Sequence, residues 1–382
     1  MNNRKNLDWT IWSIMNWIRK SLFLLVGLSL STFLCIVLIE LVFGGWLSND
    51  PWKKAEALNI IRNRQITYAT ESIYGKSLPS VLYTRDRNGL RGECSKVSDI
   101  DILTIGGSTT DQRYVPDGMT FQDVLQRRLS AKLGEPVCIS NAGVDGHSTF
   151  GHQASFDDWF PLIRDLKPKY IVFYIGINDA GFVDKPIGGF DTRRIEGEKL
   201  FWGEIREKSS IYRLLRIFRN MARSSSSGAY AQHGETPAAE KDYVAQSTTA
   251  GVEILIKKNT DGFRLRFDKL LAETKNYGAI PICVSQPNLF TSVVNGTSKG
   301  TSNVFEYKGT TYNGLDFDSS LRALNDVMRS SCKTVGGFFI DINSRQFKTS
   351  NFYDNVHMGP SGAERLGTIL YEEFIKMQLD MR

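Results

Sequence analysis

The sequence predicts an α/β protein, built as a three-layer α/β/α sandwich around a five-stranded parallel sheet. Short apolar runs end in glycine or polar residues, which is typical of buried strands, and amphipathic helical segments separate them. Strand and helix alternate at a spacing that favours right-handed crossovers, and such crossovers place neighbouring strands parallel. A long uncharged apolar stretch precedes this pattern and predicts one N-terminal transmembrane helix.

The predicted strands are short apolar segments. They cover Ile102–Ile105, Val137–Ile139, Tyr170–Ile175, Ala279–Val284 and Gly337–Ile342. The clearest helix covers Met119–Leu133, where apolar residues recur at every fourth position from Phe121. Thr120 or Asp117 is expected to cap this helix and Gly134 to end it. Further helices are predicted through Phe156–Leu166, over Phe263–Leu271 and Leu321–Met328, and from Pro360 onward.

Four polar segments follow predicted strands or precede the last helix. Ser108, Gly146 and Asn178 come after the first, second and third strands, and Asp354 and His357 lie just before the C-terminal helix. Open α/β sheets place their sites at the carboxyl ends of strands. Together the four segments supply a nucleophile, amide donors, a base and a carboxylate, which are the components of an acyl-transfer site.

These segments, in this order, resemble the four sequence blocks of the SGNH hydrolases, also called GDSL-type esterases. The resemblance covers roughly residues 80–380 and implies a flavodoxin-like fold and ester hydrolysis. One difference is Gly107, because the family often has aspartate before the serine. The segment that ends in Gly89–Gly92 also resembles membrane-anchored members of the family.

Each residue of the site has an expected role. Ser108 is the predicted nucleophile, His357 the base that accepts its proton, and Asp354 the carboxylate that orients the imidazole. The backbone N–H groups of Ser108 and Gly146 and the side-chain amide of Asn178 are expected to form the oxyanion hole.

Several neighbouring residues have weaker assignments. Gly143 is the alternative to Gly146 as an oxyanion donor. Asp179 is expected to tether a loop rather than take part in chemistry. His147 and His152 lie near the second block, and we interpret them as surface or hydrogen-bonded histidines rather than catalytic ones.

The N-terminal segment has the properties of a membrane anchor. Ser21–Ile39 carries no charge, and tryptophans flank it on both sides, as in the aromatic belts of membrane helices. We divide the chain into a tail (1–20), a transmembrane signal anchor (21–46), a connector (47–98) and a hydrolase domain (99–382) with an insertion at about 181–250. A cleavable signal peptide is the alternative, but Phe43–Trp46 is a poor cleavage site.

Basic residues are nearly balanced on the two sides of the apolar segment, so the orientation depends on finer signals. The N-terminal tail is short, and Arg19 and Lys20 directly precede the apolar run. Both features favour a cytoplasmic N-terminus and a catalytic domain outside the cytoplasm, in the periplasm or the extracellular space.

The insertion interrupts the alternation of strands and helices. Ile211–Phe218 is a basic amphipathic segment, and the serine-rich Ser224–Gly228 begins a polar stretch with the composition of a flexible loop. The amphipathic segment has three interpretations, a lid, a membrane-facing helix or a helix packed on the domain, and we favour the last.

Composition limits the remaining classes of function. The 382 residues carry a formal charge of +6, which is mildly basic and does not form the dense basic patch of a nucleic-acid-binding protein. Neither a Cys-x-x-Cys motif nor a histidine cluster occurs, so we expect no metal or other cofactor. Of five cysteines, we expect Cys138 and Cys283 to be small buried residues, and Cys94 and Cys332 are left over as a possible pair.

The predicted function is a membrane-anchored serine esterase that removes O-acetyl or other short acyl groups from carbohydrate. An O-acyltransferase that modifies a surface polysaccharide would use the same site, and a non-catalytic glycan-binding or assembly protein is a third interpretation. Three polar segments are expected to line the cleft and to favour a glycan over a long-chain lipid ester. They are Thr109–Arg113, His147–Thr149 and Asn343–Gln346. The oligomeric state is left open.

Overall fold

The computed structural model describes residues 2–47, 50–185, 191, 208–212, 214–215, 243–342 and 346–379. The chain divides into two compact units. The N-terminal unit contains residues 1–50 and 197–227, and the α/β unit contains residues 51–196 and 228–382. The predicted flexible loop at Ser224–Gly228 and the segment Asn343–Arg345 lie outside the described residues, as do Arg213 and residues 216–218 of the predicted amphipathic segment.

The N-terminal unit contains helix α1 (Asn2–Phe43). Its stretch Trp17–Phe43 is long and apolar enough to cross a membrane, and none of it is buried inside the protein. Large side chains such as Phe23 and Leu24 are exposed along this stretch. The predicted N-terminal apolar helix is therefore confirmed, although it begins well before Ser21.

The α/β unit contains twelve strands among the described residues. They are β1 (Arg64–Ala69), β2 (Ser80–Arg85), β3 (Ile102–Gly106), β4 (Ile139–Gly143), β5 (Tyr170–Tyr174), β6 (Tyr243–Ala245), β7 (Ile280–Val284), β8 (Thr291–Val294), β9 (Thr297–Thr301), β10 (Phe305–Tyr307), β11 (Thr310–Tyr312) and β12 (Phe338–Ile340). Five of them form the central sheet in the order β12-β7-β5-β3-β4. All four neighbouring pairs are parallel, so the predicted five-stranded parallel sheet is confirmed.

Helices cover both faces of this sheet. The helices that do so are α5 (Phe121–Leu133), α6 (Thr149–Asp158), α7 (Val252–Asn276), α8 (Gly314–Thr334) and α9 (Pro360–Lys376). The shorter described helices are α2 (Trp52–Ala57), α3 (Glu71–Tyr74) and α4 (Ser108–Asp111). Successive strand residues point to opposite faces. Ile102 of β3 packs with α5 and α9, whereas Leu103 packs with α6, α7 and α8. The two cores confirm the three-layer α/β/α architecture.

Helix α5 shows how local sequence defines an element. The Thr120 side chain accepts the N–H of Asp123, and the Asp123 carboxylate accepts the N–H of Thr120. This reciprocal capping box satisfies backbone donors that the first turn leaves unpaired. Gly134 ends the helix in the left-handed conformation, with φ of 73°. The cap and the end predicted from the sequence are both confirmed.

Some element boundaries differ from the predictions. Strand β4 begins at Ile139, and its polar residues Ser140 and Asn141 are buried, so apolar content alone placed this strand too early. No strand is predicted between residues 287 and 317, where the structure has the antiparallel pairs β8–β9 and β10–β11. Cross-strand pairing, which no local pattern revealed, orders this segment.

The structure corrects the cysteine assignments. Cys94 forms a disulfide with Cys138, and Cys283 forms one with Cys332. The suggested pairing of Cys94 with Cys332 is therefore wrong, and Cys138 and Cys283 are not free buried thiols. The physical reason is proximity in the fold, because Cys283 lies in β7 and Cys332 lies in helix α8, which packs on that strand. Cys35 of α1 is a free cysteine.

Candidate active site

Ser108 lies at the carboxyl end of β3, where the chain turns through Gly106 and Gly107 into the short helix α4. An added Cβ at position 107 would lie 2.5 Å from Nδ2 of Asn178, so a side chain there would displace the Asn178 amide. Glycine at 107, where the family often has aspartate, therefore lets the amide of Asn178 approach the backbone that carries Ser108.

Ser108, His357 and Asp354 form one chain of hydrogen bonds. His357 Nε2 lies 2.7 Å from Ser108 Oγ, and His357 Nδ1 lies 2.6 Å from Asp354 Oδ2. The other oxygen of Asp354 accepts the backbone N–H groups of Val356 and His357 at 2.8 and 2.7 Å. The carboxylate is fixed by its own loop, so the imidazole presents Nε2 to the serine hydroxyl.

The electrostatics of this chain suit proton transfer. Burial lowers the pKa of His357, but the charge of Asp354 and the hydrogen bond to it outweigh burial and raise the pKa above its usual range. Asp145 raises it further. Burial raises the pKa of Asp354, but the charge of His357 and the hydrogen bonds lower it overall. Asp354 therefore stays ionised at neutral pH.

Asn178 lies close to Ser108 and is oriented by a backbone carbonyl. Its Nδ2 donates to the carbonyl oxygen of His147 at 2.8 Å. A side-chain amide nitrogen has two hydrogens, so this bond orients the group and leaves a second hydrogen available to a substrate oxygen. Asn178, which the sequence analysis expects to be an oxyanion-hole donor, thus has the geometry of a preorganised donor.

The two glycines proposed as oxyanion donors differ in their surroundings. Gly146 has φ of 77°, a conformation that favours glycine, in the turn after β4. The N–H of Gly143 already donates to Asn141 Oδ1 at 2.8 Å. A Cβ at Gly143 would lie 2.4 Å from the backbone nitrogen of Asp111. Gly143 therefore provides close packing against α4 and has no amide hydrogen left for a substrate.

A buried ion pair fixes the helix that carries Ser108, and sequence reasoning missed it. Arg85, from β2, pairs with the fully buried carboxylate of Asp111, the last residue of α4. Arg85 also donates to the carbonyl oxygens of Asn141 at 2.8 Å and Gly143 at 2.6 Å. Burial raises the pKa of Asp111, but the charges of Arg85, Arg113 and Arg91 lower it overall. No local motif marked Arg85, because its partners are distant in sequence.

Arg91 binds the carboxyl end of the same helix. Its guanidinium donates to the carbonyl oxygens of Asp111 and Gln112 at 2.8 and 2.9 Å, and of Val115 at 2.6 Å. A cation at the carbonyl end of a helix is electrostatically favourable. Arg91 lies in the Gly89–Gly92 segment, and the structure shows that it holds the chain that follows Ser108.

Two polar segments do not line the cleft as predicted. Thr109–Gln112 and His147–Thr149 are buried and hydrogen-bonded inside the protein. Thr149 donates to the carboxylate of Asp179, which also pairs with Arg266, and Ser148 donates to Asp191. The expectation of polar cleft walls is therefore wrong for these residues, because internal hydrogen bonds use their polarity.

The predictions for Asp179 and the two histidines are in keeping with this network. Asp179 ties the loop after β5 to the start of α6, and burial raises its pKa to about 6 despite the opposing charge of Arg266. His147 Nε2 lies 2.8 Å from the carbonyl oxygen of Leu58. Burial and the neighbouring His147 lower the pKa of His152 well below its usual range. Both histidines are buried parts of the fold.

The surroundings of His357 are aromatic and charged. The ring of Tyr353 stacks on the imidazole, with centroids 5.5 Å apart and planes at 7°. Tyr74 and Tyr114 pack edge-on against Tyr353, with ring centroids 6.0 and 6.2 Å from that of Tyr353. Nearby, Arg113 and Asp145 form a partly exposed ion pair at 3.0 Å. Sequence reasoning did not anticipate this tyrosine cluster, whose members come from three separate segments.

Comparisons with known proteins place the chain in a family. The model of the GDSL-like Lipase/Acylhydrolase family matches residues 104–365. No curated protein matches the sequence significantly.

Three similar solved structures are esterases or hydrolases, but all are distant. The acetylxylan esterase Axe2 from Geobacillus stearothermophilus is 13% identical, with a TM-score of 0.39, over 73% of this chain and 94% of that one. A lipase/acylhydrolase from Enterococcus faecalis is 15% identical, with a TM-score of 0.39, over 74% and 99%. The α/β hydrolase LAE5 from the metagenome of Lake Arreo is 13% identical, with a TM-score of 0.37, over 71% and 93%.

The assignment rests on the family model, since these structural similarities are too low to carry it. The matched residues run from the last three residues of β3 and the serine turn that follows it to the histidine loop and the start of α9. The match extends over more than half of the sequence. The chain therefore belongs to the GDSL-like lipase/acylhydrolase family and is an SGNH-type ester hydrolase.

Proposed function

We propose that Ser108, His357 and Asp354 are the catalytic triad of this hydrolase. The observation that carries the proposal is the continuous hydrogen-bond chain from Ser108 Oγ through the imidazole to the buried carboxylate. His357 takes the proton of Ser108 as the hydroxyl attacks the ester carbonyl, and it then gives that proton to the leaving alcohol. Water then takes the place of the alcohol and attacks the acyl-enzyme. His357 accepts the proton of this water and returns it to Ser108 as the carboxylic acid is released.

The oxyanion of each tetrahedral intermediate is stabilised by the backbone N–H groups of Ser108 and Gly146 and by the amide of Asn178. The bond from Asn178 to the carbonyl of His147 supports this role, because a donor that is already oriented does not need to reorganise during the reaction. No metal or other cofactor takes part in the proposed steps.

The proposed substrate is a short acyl ester, most simply acetyl, on carbohydrate. The surroundings of His357 support this choice. A tyrosine ring can pack on the face of a sugar while its hydroxyl forms hydrogen bonds. The Arg113–Asp145 pair adds a charged donor and acceptor beside the site.

The proposed location is a membrane-anchored one with the α/β unit outside the cytoplasm. Helix α1 supports the anchor through its length and its exposed apolar side chains. The disulfides Cys94–Cys138 and Cys283–Cys332 support the orientation, since disulfides persist mainly in oxidising compartments.

A fluorophosphonate probe tests the nucleophile directly, because it forms a covalent bond only with an activated serine. We expect the probe to label the full chain at Ser108, as located by mass spectrometry of peptides. Ser108→Ala should abolish labelling, and Ser98→Ala, at an exposed serine, should leave it unchanged. Labelling of Ser108→Ala at the wild-type rate would overturn the triad assignment.

The substrate proposal has a separate test. Hydrolysis of p-nitrophenyl esters should be most efficient at acetate or propionate, and acetylated polysaccharides should release acetate. An optimum at octanoate or longer would overturn the short-acyl proposal while leaving the triad intact.

A further inference from the structure

The far end of α1 carries a carboxylate with an unusual set of partners. Glu40 accepts hydrogen bonds from Trp46 Nε1 at 2.8 Å and Ser209 Oγ at 2.6 Å. It also accepts the backbone N–H groups of Ser210 and Ile211 at 3.1 and 3.0 Å. An ionisable group in an apolar span needs such partners, and three of the four come from a segment about 170 residues further along the chain.

The distant partners mark the start of a helical segment. Residues 210–212 and 214–215 are helical. Ser209 Oγ accepts the N–H of Tyr212 at 3.0 Å, which is the geometry of an N-cap. The carboxylate of Glu40 accepts the N–H groups of Ser210 and Ile211, the first two residues after this cap. The N–H of Gly45 donates to the carbonyl oxygen of Lys208 at 2.6 Å. Residues 208–212 are thus fastened to the end of α1 by both side-chain and backbone hydrogen bonds.

This attachment determines the depth at which residues 208–212 would lie relative to a membrane that α1 spans. The stretch of α1 that is apolar enough to span a bilayer ends at Phe43. A segment bonded to Glu40 and Gly45 therefore lies where the hydrocarbon core meets the headgroups. Leu214 and Leu215 are 52% and 62% exposed in this segment. In the sequence, basic residues follow at Arg216 and Arg219.

We propose that residues 208–212 and 214–215, here named the interfacial segment, lie in the headgroup layer of the membrane that α1 spans. Leu214 and Leu215 contact the acyl chains, as the apolar side chains of interfacial amphipathic helices do. The proposal rests on the membrane anchoring proposed above and does not depend on the ester substrate. It gives the insertion at about 181–250 a function as a second membrane contact of the chain.

The test measures the depth of a spin label in the full-length protein. In a Cys35→Ser background, Leu215→Cys carries a nitroxide, and the protein is reconstituted in vesicles of phosphatidylcholine and phosphatidylglycerol. Power-saturation EPR then compares collisions with oxygen, which enters the bilayer, and with a water-soluble nickel chelate. We expect the label at 215 to lie roughly 5–10 Å below the headgroups. Leu214→Cys is a second reporter in case one variant is poorly folded.

Two control sites make the result decisive. A label at Leu265→Cys, on a 75% exposed leucine of α7, should report water, and one at Phe33→Cys in α1 should report the bilayer interior. Each labelled variant should still hydrolyse p-nitrophenyl acetate, which shows that the α/β unit is folded. If the labels at 214 and 215 match the one at 265, the interfacial segment is not in the membrane. If the label at 33 reports water, the anchor fails and the inference fails with it, whatever the esterase activity.

Discussion

At the scale of the residue, His357 controls when the proposed site is active. The imidazole must be neutral to accept the proton of Ser108, and the charge of Asp354 raises the pKa of His357 above its usual value of 6.5. The rate should therefore fall as the pH drops through a pKa above 6.5. In Asp354→Asn, only Asp145 still opposes the effect of burial on the pKa of His357, so this acid limb should move to lower pH while kcat falls about 10⁴-fold.

A pH profile of kcat/KM for p-nitrophenyl acetate measures both effects. The same Asp354→Asn protein should bind the substrate with little change in affinity, because the hydrogen bonds of this carboxylate go to Val356 and His357 of its own loop. An acid limb at the wild-type position in Asp354→Asn would show that another group controls the rate.

Asn178 gives a second prediction at this scale. Its amide is proposed to bind a charge that exists only in the transition state, so Asn178→Ala should lower kcat about 10²–10³-fold and change KM much less. Asn276→Ala, at an exposed amide at the end of α7, is the matched control and should leave both constants unchanged. A raised KM with an unchanged kcat would assign Asn178 to ground-state binding.

At the scale of the element, the short helix α4 is held by Arg85 and Arg91 from outside the central sheet. Replacing Arg85 with methionine leaves the carboxylate of Asp111 buried without its main partner. Breaking a buried pair in this way costs about 3–5 kcal/mol of the free energy of unfolding. Urea denaturation in detergent, followed by tryptophan fluorescence, measures this loss.

An exposed ion pair is the control that tests whether burial causes this loss of stability. Lys257 and Asp261 form an exposed pair on α7, so Lys257→Met should cost about 0.5 kcal/mol or less. Adding Asp111→Asn to Arg85→Met should restore part of the lost stability, because it removes the uncompensated charge. Equal losses for Arg85→Met and Lys257→Met would show that the buried pair contributes no more than a surface one.

At the scale of the whole molecule, the disulfides predict a thiol count. All five cysteines lie in the described part of the chain, and two pairs are bonded. The denatured, unreduced protein exported from the cytoplasm should therefore have one titratable thiol, that of Cys35, and five after reduction. Three or five thiols before reduction would contradict the pairing, and protein retained in the cytoplasm provides the reduced comparison.

The anchor predicts how the protein fractionates. The proposed anchor would be held in a bilayer by the hydrophobic effect, which salt does not weaken. The chain should remain in the membrane fraction at high salt and dissolve only in detergent. A reporter fused to the C-terminus should be active outside the cytoplasm, and cytoplasmic activity would reverse the proposed orientation.

The sequence predicted what depends on local pattern. Strand β3, the cap and end of α5 and the start of α9 at Pro360 all follow from neighbouring residues, and so does the order of the four polar segments. What it missed depends on contacts between distant residues. Arg85 meets Asp111 across 26 positions, and Cys94 meets Cys138 across 44. The sequence predicts Thr149 as a cleft residue, because the polarity of a side chain does not show whether it bonds to water or, as here, to Asp179.

The position of Arg85 has a consequence for truncation. The helix that carries Ser108 is held by Arg85 of the antiparallel pair β1–β2, here called the hairpin, which precedes β3, so the smallest self-sufficient fragment is longer than the family match. A soluble fragment that starts at residue 51 retains Arg85, Arg91 and the Cys94–Cys138 bond. A fragment that starts at residue 99 loses all three, and its Ser108 would be carried by a helix that ends in a buried acid without Arg85, its main partner. Crystallisation or secretion of this enzyme without its anchor should therefore begin from the hairpin rather than from the serine block.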